Sequence, residues 1–228
     1  MSVLAIIPAR SGSKGIPGKN WTRMGAYPDD NPPVIRAMGV AFAAGCDEVV
    51  LSTDHPPNFA VLPCPRYLRR PAALAQDDTP MIAVVQHVLE QIPGSPDQRI
   101  VLLQPTAVLR KPEHITQALA LLTPDVDSVV SVVETVSPDE LLVLDANGGL
   151  MRQDSPRELE SLPARRQDMT RGYKRDGTVY AFWRRSVRYN QFYGDVVVPL
   201  IIPADETAPL DTPRDWLEAE RRLRERHI

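Results

Sequence analysis

The sequence predicts an α/β fold: a doubly wound, mostly parallel sheet of the nucleotidyltransferase type, carrying a β-rich arm. Three observations lead there. Short apolar runs alternate with segments of helical period from Val3 to Val133, the rhythm of a parallel sheet with helices on both faces. A glycine-rich basic loop follows the first apolar run, and open α/β sheets place their ligands at the carboxyl ends of their strands. The alternation breaks after Pro138 and resumes at Thr178. Residues 1–138 and 176–228 are therefore expected to form the core, with 139–175 as an inserted arm.

Taken in order, Val3–Ile7 is a first strand, an unbroken apolar run. Pro33–Ala44 places Val34, Ala37, Met38, Ala41 and Phe42 on one helical face, and Glu48–Ser52 is a second strand. Asp78-Thr79-Pro80 opens a helix in which Met81, Val84, Val85, Val88 and Leu89 repeat at helical spacing, with proline suited to the first turn. Ile100–Gln104 is a third strand, Pro112–Leu122 a helix and Ser128–Val133 a fourth strand. Leu141–Leu144 and Leu150–Gln153 flank Asn147-Gly148 and read as a hairpin, because Asn-Gly suits the tight turn. Thr178–Trp183 and Val196–Ile202 return to strand pattern. Thr212-Pro213-Arg214-Asp215 has the form of a helix start, with Thr212 as N-cap and Asp215 reaching back. The helix it opens carries a modest stripe of Trp216, Leu217, Ala219 and Leu223, suited to packing on the sheet.

Bulk properties narrow the function. A net charge of −3 gives no electrostatic case for nucleic acid or an anionic membrane. No apolar run approaches the roughly 20 residues of a membrane span, and Met1 is followed directly by a strand rather than a charged-then-apolar leader. Cys46 and Cys64 have no metal-binding spacing and are expected to be reduced thiols of a cytoplasmic protein.

The chemistry concentrates in Pro8-Ala9-Arg10-Ser11-Gly12-Ser13-Lys14-Gly15-Ile16-Pro17-Gly18-Lys19-Asn20. Glycines allow close backbone approach, N–H groups cradle phosphate oxygens, and cations neutralise them. It is not a P-loop, since Asn20 follows Gly18-Lys19 where a hydroxyl residue is needed for Mg²⁺. Nor is it a dinucleotide fingerprint, because Gly12, Gly15 and Gly18 are spaced by three throughout.

The run resembles the first signature of the CMP-sialic acid synthetase (acylneuraminate cytidylyltransferase) family, departing only at Ser11, where that family usually has glycine. Arg70-Pro71-x-x-Leu74-Ala75 and Arg165-Arg166-Gln167-Asp168 with Tyr173, Gly177 and Tyr180 resemble two further segments, with Asp176 standing where asparagine is usual. Leu103-Gln104-Pro105-Thr106-Ala107-Val108-Leu109-Arg110 resembles the acceptor segment but departs at Ala107 and Val108. Pro209-Leu210-Asp211 keeps the second of two metal-binding aspartates and loses the first to proline.

The resemblance implies CMP transfer from CTP to an acidic acceptor with release of pyrophosphate. On it, Arg10, Ser13, Lys14 and Lys19 hold the triphosphate, Asn20, Arg70 and Thr79 bind the cytidine, and Ala9 and Gly12 join the nucleotide-binding set. Gln104, Thr106, Arg165 and Tyr180 face the acceptor. Asp211 anchors Mg²⁺, the implied cofactor, and Arg10, Lys19 and Asp211 form the catalytic group. The arm pairs two subunits into a homodimer. The acceptor stays open between a nonulosonic (sialic-type) sugar acid and a phosphonate such as phosphonoformate. A nucleotide-binding protein without catalysis is the reading from another class.

Overall fold

The computed structural model describes residues 1–13, 15–25, 30–55, 66–144, 150–152, 166–187 and 191–225. Its frame is one seven-stranded sheet with a separate two-stranded hairpin. The strands are β1 (Val3–Pro8), β2 (Glu48–Thr53), β3 (Arg66–Arg69), β4 (Arg99–Leu102), β5 (Ser128–Thr135), β6 (Leu142–Leu144), β7 (Leu150–Arg152), β8 (Gly172–Trp183) and β9 (Val197–Ile201). The helices are α1 (Pro33–Ala43), α2 (Met81–Gln91), α3 (Pro112–Leu121) and α4 (Pro213–Glu225).

The order across the sheet is β3-β2-β1-β4-β8-β5-β9, and all pairings are parallel except those of β8. The order reverses at β1, so the loop leaving β1 stands at the switch point where such sheets open a crevice. Every β1 residue is buried because helices cover both faces. Val3, Ala5 and Ile7 join the core beneath α1 and α3, while Leu4 and Ile6 join the core beneath α2.

Four features differ from expectation. β3 is an added edge strand, Arg-Tyr-Leu-Arg, too short and too charged to stand out in the sequence. β8 runs antiparallel between β4 and β5. It also begins earlier than Thr178: Gly172 to Arg175 already pair with β5, so the boundary expected at residue 175 falls inside a core strand. Finally, α4 packs with Met24, Val108, Leu109, Ala208 and Leu210 in a third cluster formed by loops, not on the sheet.

The hairpin strands β6 and β7 pair antiparallel, while the Asn147-Gly148 turn lies outside the described residues. The register of β5 and β8 shifts between Val130 and Val132. The surplus β8 residues bulge at Asp176–Val179, where Gly177 takes φ +79° and the Val179 N–H is received by the Ser131 hydroxyl at 2.8 Å. Bulges commonly re-aim side chains beside active sites.

Candidate active site

The loop after β1 is fixed at both roots. The Ala9 N–H donates to Ser52 O at 3.0 Å. The Arg10 carbonyl receives Asn20 Nδ2 at 3.1 Å and Trp21 Nε1 at 3.3 Å, closing the loop's neck. The Asn20 carbonyl accepts the Val34 N–H at 3.1 Å and ties the exit to α1. Gly18, at φ +65°, makes the turn before Lys19; a side chain there would meet the left-handed penalty. At Gly15 the loop lies so close to the Asp211 carbonyl that a Cβ would collide with it.

That close approach brings two distant segments together. Lys19 Nζ donates to Leu210 O at 2.9 Å and stands 3.5 Å from Asp211 Oδ1. Lys19 is mostly covered, whereas the Asp211 side chain is 80% exposed and offers its carboxylate to the space in front. Arg10 pairs with Asp77 in the segment before α2. Gly12 has open space around it and Ser13 is half-buried, while Lys14 lies outside the described residues.

The three residues expected at the base are placed differently from one another. Asn20 is 6% exposed, and its amide braces the loop from inside; its Oδ1 is buried and has no hydrogen-bond partner. Arg70 is 4% exposed, donating Nε to Ser52 Oγ at 3.2 Å and Nη2 to Ser52 O at 2.8 Å. Burial lowers its pKa to about 10, with Arg10 adding to the effect and Asp54 opposing it, so it remains a cation at neutral pH. Thr79 is half-buried two residues before α2, its hydroxyl on Ala73 O at 3.4 Å.

Beside the loop opens a cleft of about 470 Å³. Gln104 and Thr106 line one side, Lys174, Arg175 and Asp176 a second, and the segment through Asp211 a third. Arg110 joins the first two walls from beneath, donating to Gln104 O at 2.6 Å and Thr178 O at 2.5 Å. Complete burial brings its pKa down to about 9, with Asp176 opposing the shift. Tyr180 does not line this cleft. It sits in the core beside Phe192, ring centroids 6.1 Å apart, and burial, followed by the neighbouring Tyr193, raises its hydroxyl's pKa. Arg165 lies outside the described residues.

Several site residues escaped the sequence reading. The break in alternation hides the start of β8, so by sequence Lys174 and Arg175 fall in the arm. Asp54 and Asp77 are single acids in loops, with no spacing to mark them. Val108 stands in sequence as a departure in the acceptor segment, yet it is a buried member of the α4 cluster.

Asp211 suits a cation held mainly by the nucleotide. Among the described residues, no three His, Cys, Asp or Glu side chains gather as a metal site. Mg²⁺ often takes one or two carboxylates and completes its shell with phosphates and water, and an exposed carboxylate beside a phosphate loop meets that need.

Residues 4–197 match the family described as Cytidylyltransferase. The chain belongs to the cytidylyltransferase family. It is 31% identical over 232 residues to the CMP-N,N'-diacetyllegionaminic acid synthase of Legionella pneumophila, covering 97% of this chain and 96% of that one. It is 28% identical over 199 residues to the 3-deoxy-manno-octulosonate cytidylyltransferase of Sodalis glossinidius, covering 80% of this chain and 74% of the other. Among solved structures, CMP:2-keto-3-deoxy-manno-octonic acid synthetase complexed with CTP overlays both chains completely at TM-score 0.70 and 18% identity, a likeness of fold alone.

This cytidylyltransferase is thus a CTP-dependent nucleotidyltransferase, and the loop and cleft are its candidate donor and acceptor sites. No helix among its described residues is long and apolar enough to cross a membrane.

Proposed function

We propose that this cytidylyltransferase couples CTP to a sugar acid of the nonulosonic kind. One acceptor hydroxyl oxygen bonds to the α-phosphorus, the α–β bridging P–O bond breaks, pyrophosphate leaves, and the hydroxyl proton passes to solvent. The observation that carries this reading is the shared wall at Leu210–Asp211. Lys19 of the phosphate loop donates to Leu210 O, and Leu210 and Asp211 line the cleft. A triphosphate on the loop and an acid in the cleft would therefore meet at this wall, which favours in-line transfer through positioning.

The acceptor class draws support from the likeness to the Legionella synthase across nearly the whole chain. The cleft, at about 470 Å³, falls within the 300–1,000 Å³ range of pockets for ligands of that size. Lys174 and Arg175 would meet the acid of such a guest, in a cleft whose lining also holds Glu134, Asp176 and Asp211. Of the departures from the resembled segments, Val108 packs with α4 rather than lining the cleft, whereas Asp176 and Pro209 line it. Gln104 and Thr106 would orient the sugar, and Arg165 would add a cation.

Lys19 and Arg10 would neutralise the triphosphate, with Ala9, Gly12, Ser13 and Lys14 supplying the rest of the loop. Arg70, Asn20 and Thr79 would hold the cytidine end, Asn20 by bracing the loop. Asp211 would hold Mg²⁺, which when bound neutralises phosphate charge and polarises the reacting phosphorus. Asp211→Asn should shift the Mg²⁺ dependence of pyrophosphate release to higher concentration; an unchanged curve would move the metal elsewhere. We further infer a homodimer through the arm, supported by Val136, Leu141, Leu142, Val143 and Tyr173, which expose apolar surface near and along it.

A further inference from the structure

The phosphate loop contains three glycines, so its shape depends on contacts beyond its own backbone. Besides those at its roots, at Ile16 and at Lys19, support comes from the two residues that follow β2. Asp54 takes two bonds from Ser11, the N–H at 2.8 Å on one oxygen and the hydroxyl at 2.5 Å on the other. A carboxylate held at both oxygens by one residue fixes that residue's position and its rotation. His55 stacks its ring on Trp21, centroids 4.5 Å apart and planes 29° from parallel. Trp21 in turn sends Nε1–H to the Arg10 carbonyl. Entry and exit of the loop therefore rest on adjacent residues of one strand end, whose own turn is held by the His55 N–H on the Thr53 hydroxyl at 3.0 Å.

Charge supports the same arrangement. Arg70 is buried within range of both Arg10 and Asp54, and its cation is opposed by the first and favoured by the second. Removing Asp54 would take away the acid that favours the Arg70 cation, while Arg10 keeps Asp77 as its partner. The Ser11 N–H is spent on Asp54 and the Ala9 N–H on Ser52 O, so neither is open to a phosphate.

We propose that Asp54 and His55 clamp the loop in its phosphate-binding shape, with Asp54 acting on the triphosphate through Ser11 as a positioning residue. This rests on the reading of the loop as the CTP site. Ser11, the one departure from the signature the loop resembles, supplies the hydroxyl half of the contact.

Titration calorimetry of the full chain with CTP and with CMP, both with Mg²⁺, tests it. Asp54→Asn should weaken CTP about tenfold, as expected for loss of a charge-assisted hydrogen bond, and should weaken CMP less, so that the CTP-to-CMP affinity ratio falls. Ser11→Ala should move the ratio the same way by a smaller factor. The double variant should lose less than the two single effects summed, because both break one contact. Equal weakening of CTP and CMP, or an unchanged CTP affinity in either folded variant, would overturn the clamp. Should Asp54→Asn fail to fold by circular dichroism, Ser11→Ala, which deletes a single hydroxyl, decides alone. Wild-type protein that does not bind CTP would overturn the reading of the loop, and the clamp with it; wild-type binding with unaffected variants would overturn the clamp only.

Discussion

Lys19 and Asp211 stand 192 positions apart in sequence and 3.5 Å apart in space. Lys19 is held by the Leu210 carbonyl, so its ammonium is placed before any ligand arrives. Preorganised charge of this kind counts most where negative charge is redistributed during reaction. Lys19→Ala should therefore lower kcat/KM for CTP by about 10²-fold or more, as when one such donor is removed elsewhere. Steady-state rates at saturating acceptor would check this, and near-wild-type turnover would remove Lys19 from the reaction. The residue types of the loop were legible because glycines and cations crowd into nine positions from Arg10 to Gly18. Its meeting with Asp211 was legible only through resemblance, since no local pattern joins residues so far apart. Asn20 illustrates the limit: its type suits base reading, but burial makes it a loop brace. Asp54 was not legible, because an acid after a strand looks like any turn residue.

Most elements were legible from periodicity. β1, β2, α1 and α3 lie within a residue or two of expectation, and α4 starts where expected, because each couples an apolar period to a proline, cap or turn. Strand direction was not, because hydrophobic pattern does not encode it. From Gly177 to Trp183 β8 is buried like its parallel neighbours, and only its pairing shows it to be antiparallel. The start of α4 shows local chemistry at its most readable. The Asp215 N–H donates to Thr212 Oγ1 at 3.2 Å, while Asp215 Oδ2 receives the Thr212 N–H at 2.8 Å and the Asp211 N–H at 3.1 Å. This reciprocal cap fixes the backbone on which Asp211 stands, linking helix stability to the proposed metal ligand. Hydrogen bonding to Thr212 holds the Asp215 carboxyl below its ordinary range, so the cap is ionised throughout neutral pH. Thr212→Ala should cost about 1 kcal/mol of stability, lowering Tm by roughly 2–4 °C for a chain of this size. Calorimetry showing no change would contradict the capping role.

At the scale of the molecule, one sheet edge does the assembling. The loop from β1, Ser52–Asp54 from β2, Arg70 after β3, Gln104 and Thr106 after β4 and the incoming end of β8 all converge there. Because β8 enters from this edge, its bulge delivers Asp176 to the cleft, and Lys174 and Arg175 lie beside it. Leu141, Leu142 and Val143 expose apolar surface. If it pairs two subunits, the wild-type chain should sediment as a dimer at micromolar concentration and Leu142→Glu as a monomer. A monomeric wild type would contradict the proposed pairing.

The central claim, CMP transfer to a sugar acid, is tested most directly by pyrophosphate release. Purified protein would be mixed with CTP, Mg²⁺ and, separately, N,N'-diacetyllegionaminic acid, N-acetylneuraminic acid and phosphonoformate. The account predicts stoichiometric release of pyrophosphate, with formation of the CMP-conjugate, for at least one of the two sugar acids and little for the phosphonate. Release with phosphonoformate alone, or CTP binding without release for all three, would contradict it.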